Sequence, residues 1–417
     1  MANAALAEKR QDARAHAYSL PIDKINVADP ALFQNDTMWP YFERLRREDP
    51  VHYCEEHEFG PYWSVTKYND IMAVDTNHEA FSSQPNITIA DPKDDFRLPM
   101  FIAMDPPKHD AQRKVVQPIV APGNLANFEP VIRERVRKIL DDLPRNETFN
   151  WVERVSKELT TQMLAALFDF PFEDRGKLAF WSDCATANPL AGGYIDSEEK
   201  REQVFRECLT YFMGLWNERV NAAPRGDLIS MLAHGPPTRS MPPREFLGNL
   251  ILLIVGGNDT TRNSISGGVL FLHQFPEEYA KLRADPALID SMAPEIIRFQ
   301  TPLSHMRRTA VADFELRGKT IRKGEKVVMW YISGNRDEEA IADPDRFIID
   351  RARPRQHLSF GFGIHRCVGK HLGELQLKIL WEEILARFER VEVVGEPKRI
   401  YSSFVHGVSE LPVRIPS

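Results

Sequence analysis

The sequence predicts a mainly α-helical protein with small β-sheets, organised as a single large domain over residues 1–417. Helical periodicity dominates residues 107–299, and short β-type runs lie on both sides of that region. No internal repeat and no Gly/Ser or Pro linker tract divides the chain. A hydrophobic content of 43% indicates a sizeable buried core.

The predicted elements fall into three zones along the chain. Residues 1–20 are polar and alanine-rich and are expected to be flexible; a helix at 38–47 and a strand at 62–65 follow. The central zone holds predicted helices at 129–143, 155–168, 198–220 and 244–273. Residues 300–417 mix predicted strands, at 311–316, 326–330, 391–394 and 408–413, with a helix that begins near Lys370.

Composition and charge exclude several classes of protein. A net charge of −7 gives no support for nucleic-acid binding, because proteins that neutralise phosphates are normally basic. The longest apolar run, near residues 250–255, is too short to span a bilayer, and the start lacks a signal peptide's apolar core, so we expect no membrane anchor. The four cysteines are scattered without a CxxC pair, which is typical of a cytoplasmic protein.

The segment from Phe360 to Gly369 is the most informative in the chain. Its glycines allow a tight turn and a close approach to a flat ligand, and the following helix directs free backbone amides towards the sulfur of Cys367. Such surroundings favour a thiolate. The alternative is a buried structural cysteine that packs as a small hydrophobic residue.

The middle of the predicted helix at 244–273 has residues that are unfavourable in a buried helix. Residues 250–255 are apolar on every side, yet Gly256, Gly257 and Asp259 follow at once. Glycines make room for a planar ligand, and Thr260 offers a hydroxyl to a backbone carbonyl or to a bound ligand. The alternative is a helix that ends at the glycine pair, with Asp259 capping a second helix.

The spacing of Phe360, Gly363, Cys367 and Gly369 resembles the haem-ligand signature of the cytochrome P450 family, in which a cysteine thiolate binds the haem iron. The resemblance implies the cytochrome P450 fold and heme b, iron protoporphyrin IX, with Cys367 as the metal ligand. Residues 256–261 resemble the family's oxygen-activation segment. That likeness implies cofactor contact at Gly256 and catalytic roles for Asp259 and Thr260, an acid and alcohol pair that delivers protons to bound O2.

Other motifs of the family follow in order. Glu295 and Arg298 match its Glu-x-x-Arg helix, and Arg346 resembles the third member of that buried charge cluster. Haem carries two propionates, which arginine binds well. The family's layout implies that the propionate partners are His109, Arg113, Arg308 and His365, although Arg307 lies beside Arg308 and leaves that choice open.

The resemblance also implies a substrate pocket and a reaction. The pocket residues would be Ile87, Leu252, Val255, Leu303, Phe404 and Val405. Residues 256–264 and 357–361 resemble the bacterial branch that hydroxylates terminal carbons of medium-chain n-alkanes and fatty acids. Two alternatives remain: a hydroxylase of cyclic hydrophobic compounds such as terpenoids, and a non-enzymatic haem-binding sensor.

Electrons are expected from a separate protein, because no GxGxxG opens a βαβ unit for a nicotinamide or flavin. The resemblance implies that a [2Fe-2S] ferredoxin and its NAD(P)H-dependent reductase deliver the electrons. The protein itself is expected to be a monomer. Between Arg351 and Lys378 the chain has six basic residues against one acid, Glu374, a balance that suits an acidic donor. The alternative is that these are solvated side chains and propionate partners.

Overall fold

The computed structural model describes residues 2–91 and 96–417, with side chains from residue 8 onward. The α-helices of these residues are α1 (Ala2–Ser19), α2 (Pro30–Gln34), α3 (Trp39–Glu48), α4 (Tyr68–Thr76), α5 (Lys108–Val116), α6 (Pro122–Asp141), α7 (Glu158–Phe168), α8 (Gly176–Thr186), α9 (Glu198–Val220), α10 (Leu228–His234), α11 (Pro243–Gln274), α12 (Pro276–Ala284), α13 (Ile289–Gln300), α14 (Tyr331–Gly334) and α15 (Lys370–Arg387). The prediction of a mainly helical fold is confirmed.

Short strands form the remaining regular structure. They are β1 (Val51–Cys54), β2 (Tyr62–Val65), β3 (Phe81–Ser82), β4 (Thr148–Asn150), β5 (Met306–Ala310), β6 (Phe314–Leu316), β7 (Lys319–Ile321), β8 (Lys326–Met329), β9 (Glu392–Val393), β10 (Lys398–Arg399), β11 (Val408–Glu410) and β12 (Pro412–Arg414). The largest sheet has the order β1-β2-β8-β5-β3, in which β2 and β8 are parallel. This sheet joins strands from both ends of the chain.

Helix α11 runs without a break through Gly256 and Gly257, so the alternative of two shorter helices is wrong. Its 32 residues give a length of about 48 Å, enough to cross the whole molecule. It packs against α7, α8, α13 and α15. The apolar side chains that resume after the glycines, such as Ile265 and Val269, are buried in the main core. Burial on several sides therefore holds the glycine-containing stretch helical.

Some element boundaries differ from the prediction. The predicted helix at 155–168 begins with a π-helical segment, Val152–Lys157, before α7. The predicted strand at 408–413 is two strands, because β11 pairs with β10 whereas β12 pairs with β4 and β9. Residues 2–19 form a helix, and Ala17 is fully buried against the core that contains α3. The later part of residues 1–20 thus has fixed contacts, whereas flexibility was expected there.

In the part of the chain that the structure describes, no helix has both the length and the hydrophobicity that a membrane crossing requires.

A buried charge cluster joins α13 to residues 335–351, the segment that follows α14. Arg298 donates from Nε to Glu295 over 2.7 Å, and both side chains have no solvent exposure. The third member is Arg351, whose Nε lies 3.1 Å from Glu295 Oε2. The prediction of Arg346 is wrong: its side chain is exposed, and only its backbone carbonyl takes part, accepting from Arg298 Nη2.

Replacing Glu295 with Gln should destabilise the fold by about 3–5 kcal/mol, because it leaves the buried guanidinium of Arg298 without a counter-charge. Urea unfolding followed by circular dichroism measures the change. Glu134→Gln is the matched control, since its ion pair with Lys138 is exposed on α6 and contributes little. An equal loss of stability in the two variants would contradict a structural role for the buried cluster.

Candidate active site

A cavity of about 430 Å3 lies between α11 and the loop that carries Cys367. Most of the predicted site residues line it: Ile87, Arg113, Leu252, Val255, Gly256, Thr260, Leu303, Arg308, Phe360, His365, Cys367, Gly369 and Phe404. Three predicted residues are not among the lining side chains: His109, Asp259 and Val405. Residues far apart in sequence therefore meet around one space.

The Cys367 loop is shaped by its own backbone. Gly363 has φ of +65°, and a Cβ there would lie 2.7 Å from the carbonyl oxygen of Asp75, so only glycine fits. The Cys367 amide donates to the Phe360 carbonyl over 2.8 Å and closes the loop. Among the four cysteines, Cys367 is exposed, to the cavity, whereas Cys54, Cys184 and Cys208 are buried. The alternative of a buried structural cysteine is thus wrong.

The surroundings of the thiol act on its pKa in opposite directions. Enclosure by the protein is the largest influence and leaves the pKa of the Cys367 thiol raised, against the expectation that the surroundings alone favour a thiolate; the backbone amide of Gly369 and the positive charges of Arg113 and Lys370 lower the pKa but offset only part of this rise. The amide belongs to the residue directly before α15, as the sequence predicted. A cation bound to the sulfur would add a much larger effect in the lowering direction.

Two arginines face one side of the cavity. Successive residues of a strand point to opposite faces, and β5 thereby separates Arg307 from Arg308. Arg307 pairs with Asp91 over 2.6 Å, whereas Arg308 lines the cavity and pairs with Asp75 over 2.7 Å. Arg113 of α5 reaches the same cavity and donates to the carbonyl of Arg366. The choice between Arg307 and Arg308 is thereby decided for Arg308 as the cavity-lining residue.

Two histidines on this side each have a buried ring nitrogen that lacks a hydrogen-bond partner among the described residues. His365 accepts or donates at Nε2 with the Ser83 hydroxyl, 2.8 Å away, and its Nδ1 is unpaired. Burial, followed by Arg308, lowers the pKa of His365 to about 2, so the ring is neutral. His109 packs on it with ring centroids 4.3 Å apart, and its Nε2 is unpaired. Two arginines and two unsatisfied imidazole nitrogens suit a ligand with two carboxylates, and haem fits this requirement.

Asp75 of α4 is a site residue that sequence reasoning missed. Its Oδ2 accepts from the Phe362 amide and from the Tyr331 hydroxyl, both over 2.8 Å, while its Oδ1 accepts from Arg308. One buried carboxylate therefore fixes both the Cys367 loop and a cavity arginine. Nothing in the local sequence marks it, because an acid on a short helix is usually solvated.

On the opposite side of the cavity, Gly256 leaves open space: apart from its own turn of α11, no atom of the described residues would lie within 4 Å of a Cβ there. Thr260 Oγ1 donates to the Gly256 carbonyl over 2.9 Å, one of the two partners predicted for it. Asp259 points away and is fully buried, with Oδ1 2.7 Å from Nη2 of Arg262. Burial raises the pKa of Asp259, so it keeps its proton to a higher pH than an exposed aspartate.

The predicted substrate residues split into two groups. Ile87, Leu252, Val255, Leu303 and Phe404 line the cavity. Val405 pairs with Leu303 in an isolated bridge and is buried, but it does not line the cavity, because neighbouring extended residues face opposite sides.

Comparisons with known proteins agree with this geometry. A family model described as Cytochrome P450 matches residues 218–414. The chain is 34% identical to a linalool 8-monooxygenase from Pseudomonas putida, over 94% of this chain and 99% of the relative. It is 32% identical to a methyl-branched lipid omega-hydroxylase from Mycobacterium tuberculosis, over 89% of this chain and 90% of that protein. The solved structure of CYP153D17 from Sphingomonas sp. PAMC 26605 is 48% identical, with a TM-score of 0.90 over 95% of this chain and all of that chain (100%).

The relatives extend over nearly the whole chain, and the cavity offers an accessible cysteine opposite a helix that carries a glycine and a threonine. The chain belongs to the cytochrome P450 family and is a haem-dependent monooxygenase whose axial thiolate is Cys367.

Proposed function

We propose that this monooxygenase hydroxylates the terminal carbon of medium-chain n-alkanes or fatty acids. The observation that carries the proposal is the apolar wall around the open position at Gly256, built from Ile87, Leu252, Val255, Leu303 and Phe404. These side chains come from four separate segments of the chain and offer few polar handles, which suits a flexible hydrocarbon. The haem supplies oxygen activation when it is bound, and the wall determines which carbon reaches it.

Terminal attack needs such a wall, because a primary C–H bond is stronger than the neighbouring secondary bonds. Regioselectivity therefore depends on positioning rather than on intrinsic reactivity. The name of the lipid omega-hydroxylase relative describes the same kind of attack on a chain end and supports the proposal.

The second candidate function is hydroxylation of cyclic hydrophobic compounds or terpenoids. The relative named linalool 8-monooxygenase favours it, because linalool is a terpenoid. Product analysis separates the two. Octane and decane should give primary alcohols, and dodecanoic acid should give the ω-hydroxy acid. Linalool should be only a weak competitor of these substrates for turnover. Exclusive oxidation of cyclic or terpenoid compounds would instead establish the second function.

Leu303→Ala should increase oxidation at secondary carbons of octane several-fold relative to the terminal carbon, because it widens the apolar wall. Gas chromatography of the alcohols measures the ratio. Val405→Ala is the matched control: Val405 is the bridge partner of Leu303 but lies off the cavity, so the product ratio should stay that of the unmodified protein. Equal product ratios in the two variants would contradict the role of Leu303 in the wall.

Thr260→Ala should leave haem binding intact and divert a larger share of electrons to hydrogen peroxide, because the hydroxyl that borders Gly256 is lost. Peroxide and product are measured against NADH consumed. Thr210→Ala serves as the control, since that hydroxyl also bonds a carbonyl of its own helix but lies on the exposed side of α9. Unchanged coupling in Thr260→Ala would remove this hydroxyl from proton delivery.

For electron supply, a [2Fe-2S] ferredoxin is proposed to dock on the Cys367 side of the protein. Three members of the predicted basic run are neutralised, by ion pairs of Arg351 with Glu295, Arg355 with Glu374, and Lys378 with Asp290. Three others have no carboxylate partner among the described residues: Arg353, Arg366 and Lys370. These three residues support docking of an acidic electron donor. The positive charge that remains unpaired there is smaller than the count of six basic residues suggested.

A further inference from the structure

The buried carboxyl of Asp259 has one neighbour that also reaches the cavity. The hydroxyl of Thr186 donates to Asp259 Oδ2 over 3.0 Å, and Thr186 lines the cavity, whereas Asp259 does not. Thr186 is the last residue of α8, so the contact joins α8 to α11. The Thr186 hydroxyl therefore connects Oδ2 of Asp259 with the cavity.

The other carboxyl oxygen is held by α11 itself. Asp259 Oδ1 lies 2.7 Å from Arg262 Nη2 and 3.3 Å from Asn258 Nδ2. Asn258 is fixed in turn by the Thr160 hydroxyl, which donates to its Oδ1 over 2.7 Å. Because Oδ1 is occupied by positive and amide donors of its own helix, Oδ2 is the oxygen that is available to carry a proton.

The Thr186 hydroxyl has a choice of two acceptors. Its single proton can go to Asp259 Oδ2 or to the carbonyl of Ser182, 3.2 Å away. With the carboxyl ionised, the charge-assisted bond to Oδ2 is stronger. With the carboxyl protonated, the acid O–H donates to Thr186 Oγ1, whose own proton turns to Ser182. The contact therefore persists in both protonation states without movement of either helix.

We propose that Thr186 is a positioning residue for proton delivery: its hydroxyl holds Oδ2 of Asp259 at the cavity wall in both protonation states. The proposal rests on the proposed role of Asp259 in the monooxygenase reaction. It assigns to α8 a role in catalysis that no sequence motif predicts.

The charged groups around the carboxyl are Arg262 on α11 and Asp183 on α8, with Lys157 paired to Asp183 over 3.1 Å and Glu153 acting on Arg262. Burial raises the pKa of Asp259, Arg262 lowers it, and the negative charge of Asp183 raises it. The hydroxyls of Thr186 and Ser182 make smaller contributions that lower the pKa. Loss of the hydroxyl should therefore raise the pKa of this carboxyl while the four charges stay in place.

The test compares Thr186→Val, Thr186→Ser and the control Thr210→Val. The Thr210 hydroxyl also donates to the carbonyl four residues earlier, but on the exposed side of α9 and away from the cavity lining. Infrared pH titration of the haem-loaded protein without electron donor follows the protonated carboxyl band that Asp259→Asn removes. In Thr186→Val, that band should disappear at a higher pH than in the unmodified protein. In Thr186→Ser and Thr210→Val, it should disappear at the same pH as in the unmodified protein. Thr186→Val should also divert several-fold more electrons to peroxide during octane turnover.

Each outcome decides one claim. Suppose that Thr186→Val titrates at the same pH and forms the same share of peroxide as the unmodified protein, while Asp259→Asn turns over more slowly. This result would overturn the role of Thr186 alone. Full turnover in Asp259→Asn would overturn the proton-delivery role of Asp259, and the role of Thr186 in proton delivery with it, even if the titration still moved. If Thr186→Val does not fold, Thr186→Ala replaces it in the same infrared titration, with the same expected shift to higher pH.

Discussion

Cys367→Ser is expected to abolish thiolate ligation and to reduce octane hydroxylation to background. Serine preserves the size of the side chain, but its hydroxyl stays protonated where the cysteine sulfur ionises, so the electron donation that favours O–O cleavage is lost. The loop itself should survive, because the Cys367 amide bond to Phe360 and the fixed turn at Gly363 involve only the backbone. Absorbance spectra and product formation measure the two losses.

The control for this substitution is Cys54→Ser, since Cys54 lies in β1, is buried beside Tyr62 and does not line the cavity. It should keep the spectrum and the turnover of the unmodified protein, apart from a modest loss of stability. Retained turnover in Cys367→Ser, with a spectrum like that of Cys54→Ser, would contradict the assignment of the ligand.

Asp259→Asn is expected to slow product formation about 10²-fold or more, the usual range for loss of a positioned proton donor. Asparagine has the same shape and can still meet Thr186 and Arg262, but it cannot carry a proton at Oδ2. Because a proton must then arrive by a slower route, the solvent deuterium isotope effect on turnover should increase.

Asp174→Asn provides the comparison, since Asp174 is a partly exposed acid near α8 that pairs with Lys177 and lies away from the cavity. Its turnover and isotope effect should match those of the unmodified protein. If Asp259→Asn also matched in both measurements, proton delivery would have to be assigned to another group.

The elements that the sequence predicts well are those with a strong local signal. Helix α9 occupies the residues predicted for it, and α11 extends the predicted range by one residue at each end, because long apolar patterns determine both. The Cys367 loop is predictable for a similar reason: its glycines, cysteine and following helix lie within about a dozen residues.

Contacts between distant segments could not be predicted in this way. Asp75 holds the Phe362 amide across 287 positions of sequence, and Thr186 reaches Asp259 across 73. Neither residue has a local pattern that distinguishes it from a solvated side chain. The interactions exist only once the helices have packed, so no periodicity encodes them.

Two residues named from the family resemblance do not make the contacts expected of them: Arg346 is not the third member of the charge cluster, and Val405 does not line the cavity. Arg346 and Val405 each lie beside a residue or group that does take part: the Arg346 carbonyl in one case, Phe404 in the other. In the extended segment that holds Phe404 and Val405, a shift of one residue reverses the direction of the side chain. For the charge cluster, the side chain that reaches Glu295 is that of Arg351, five residues beyond Arg346. The neighbourhood was predictable, whereas the side chain that faces the site was not.

The most direct measurement is the absorbance spectrum of the purified, haem-loaded protein after reduction and exposure to carbon monoxide. With Cys367 as the ligand, the main band should lie at the long-wavelength position typical of thiolate-ligated haem, and Cys367→Ser should lose that band. A band of the unmodified protein in the region typical of imidazole-ligated haem would contradict the account.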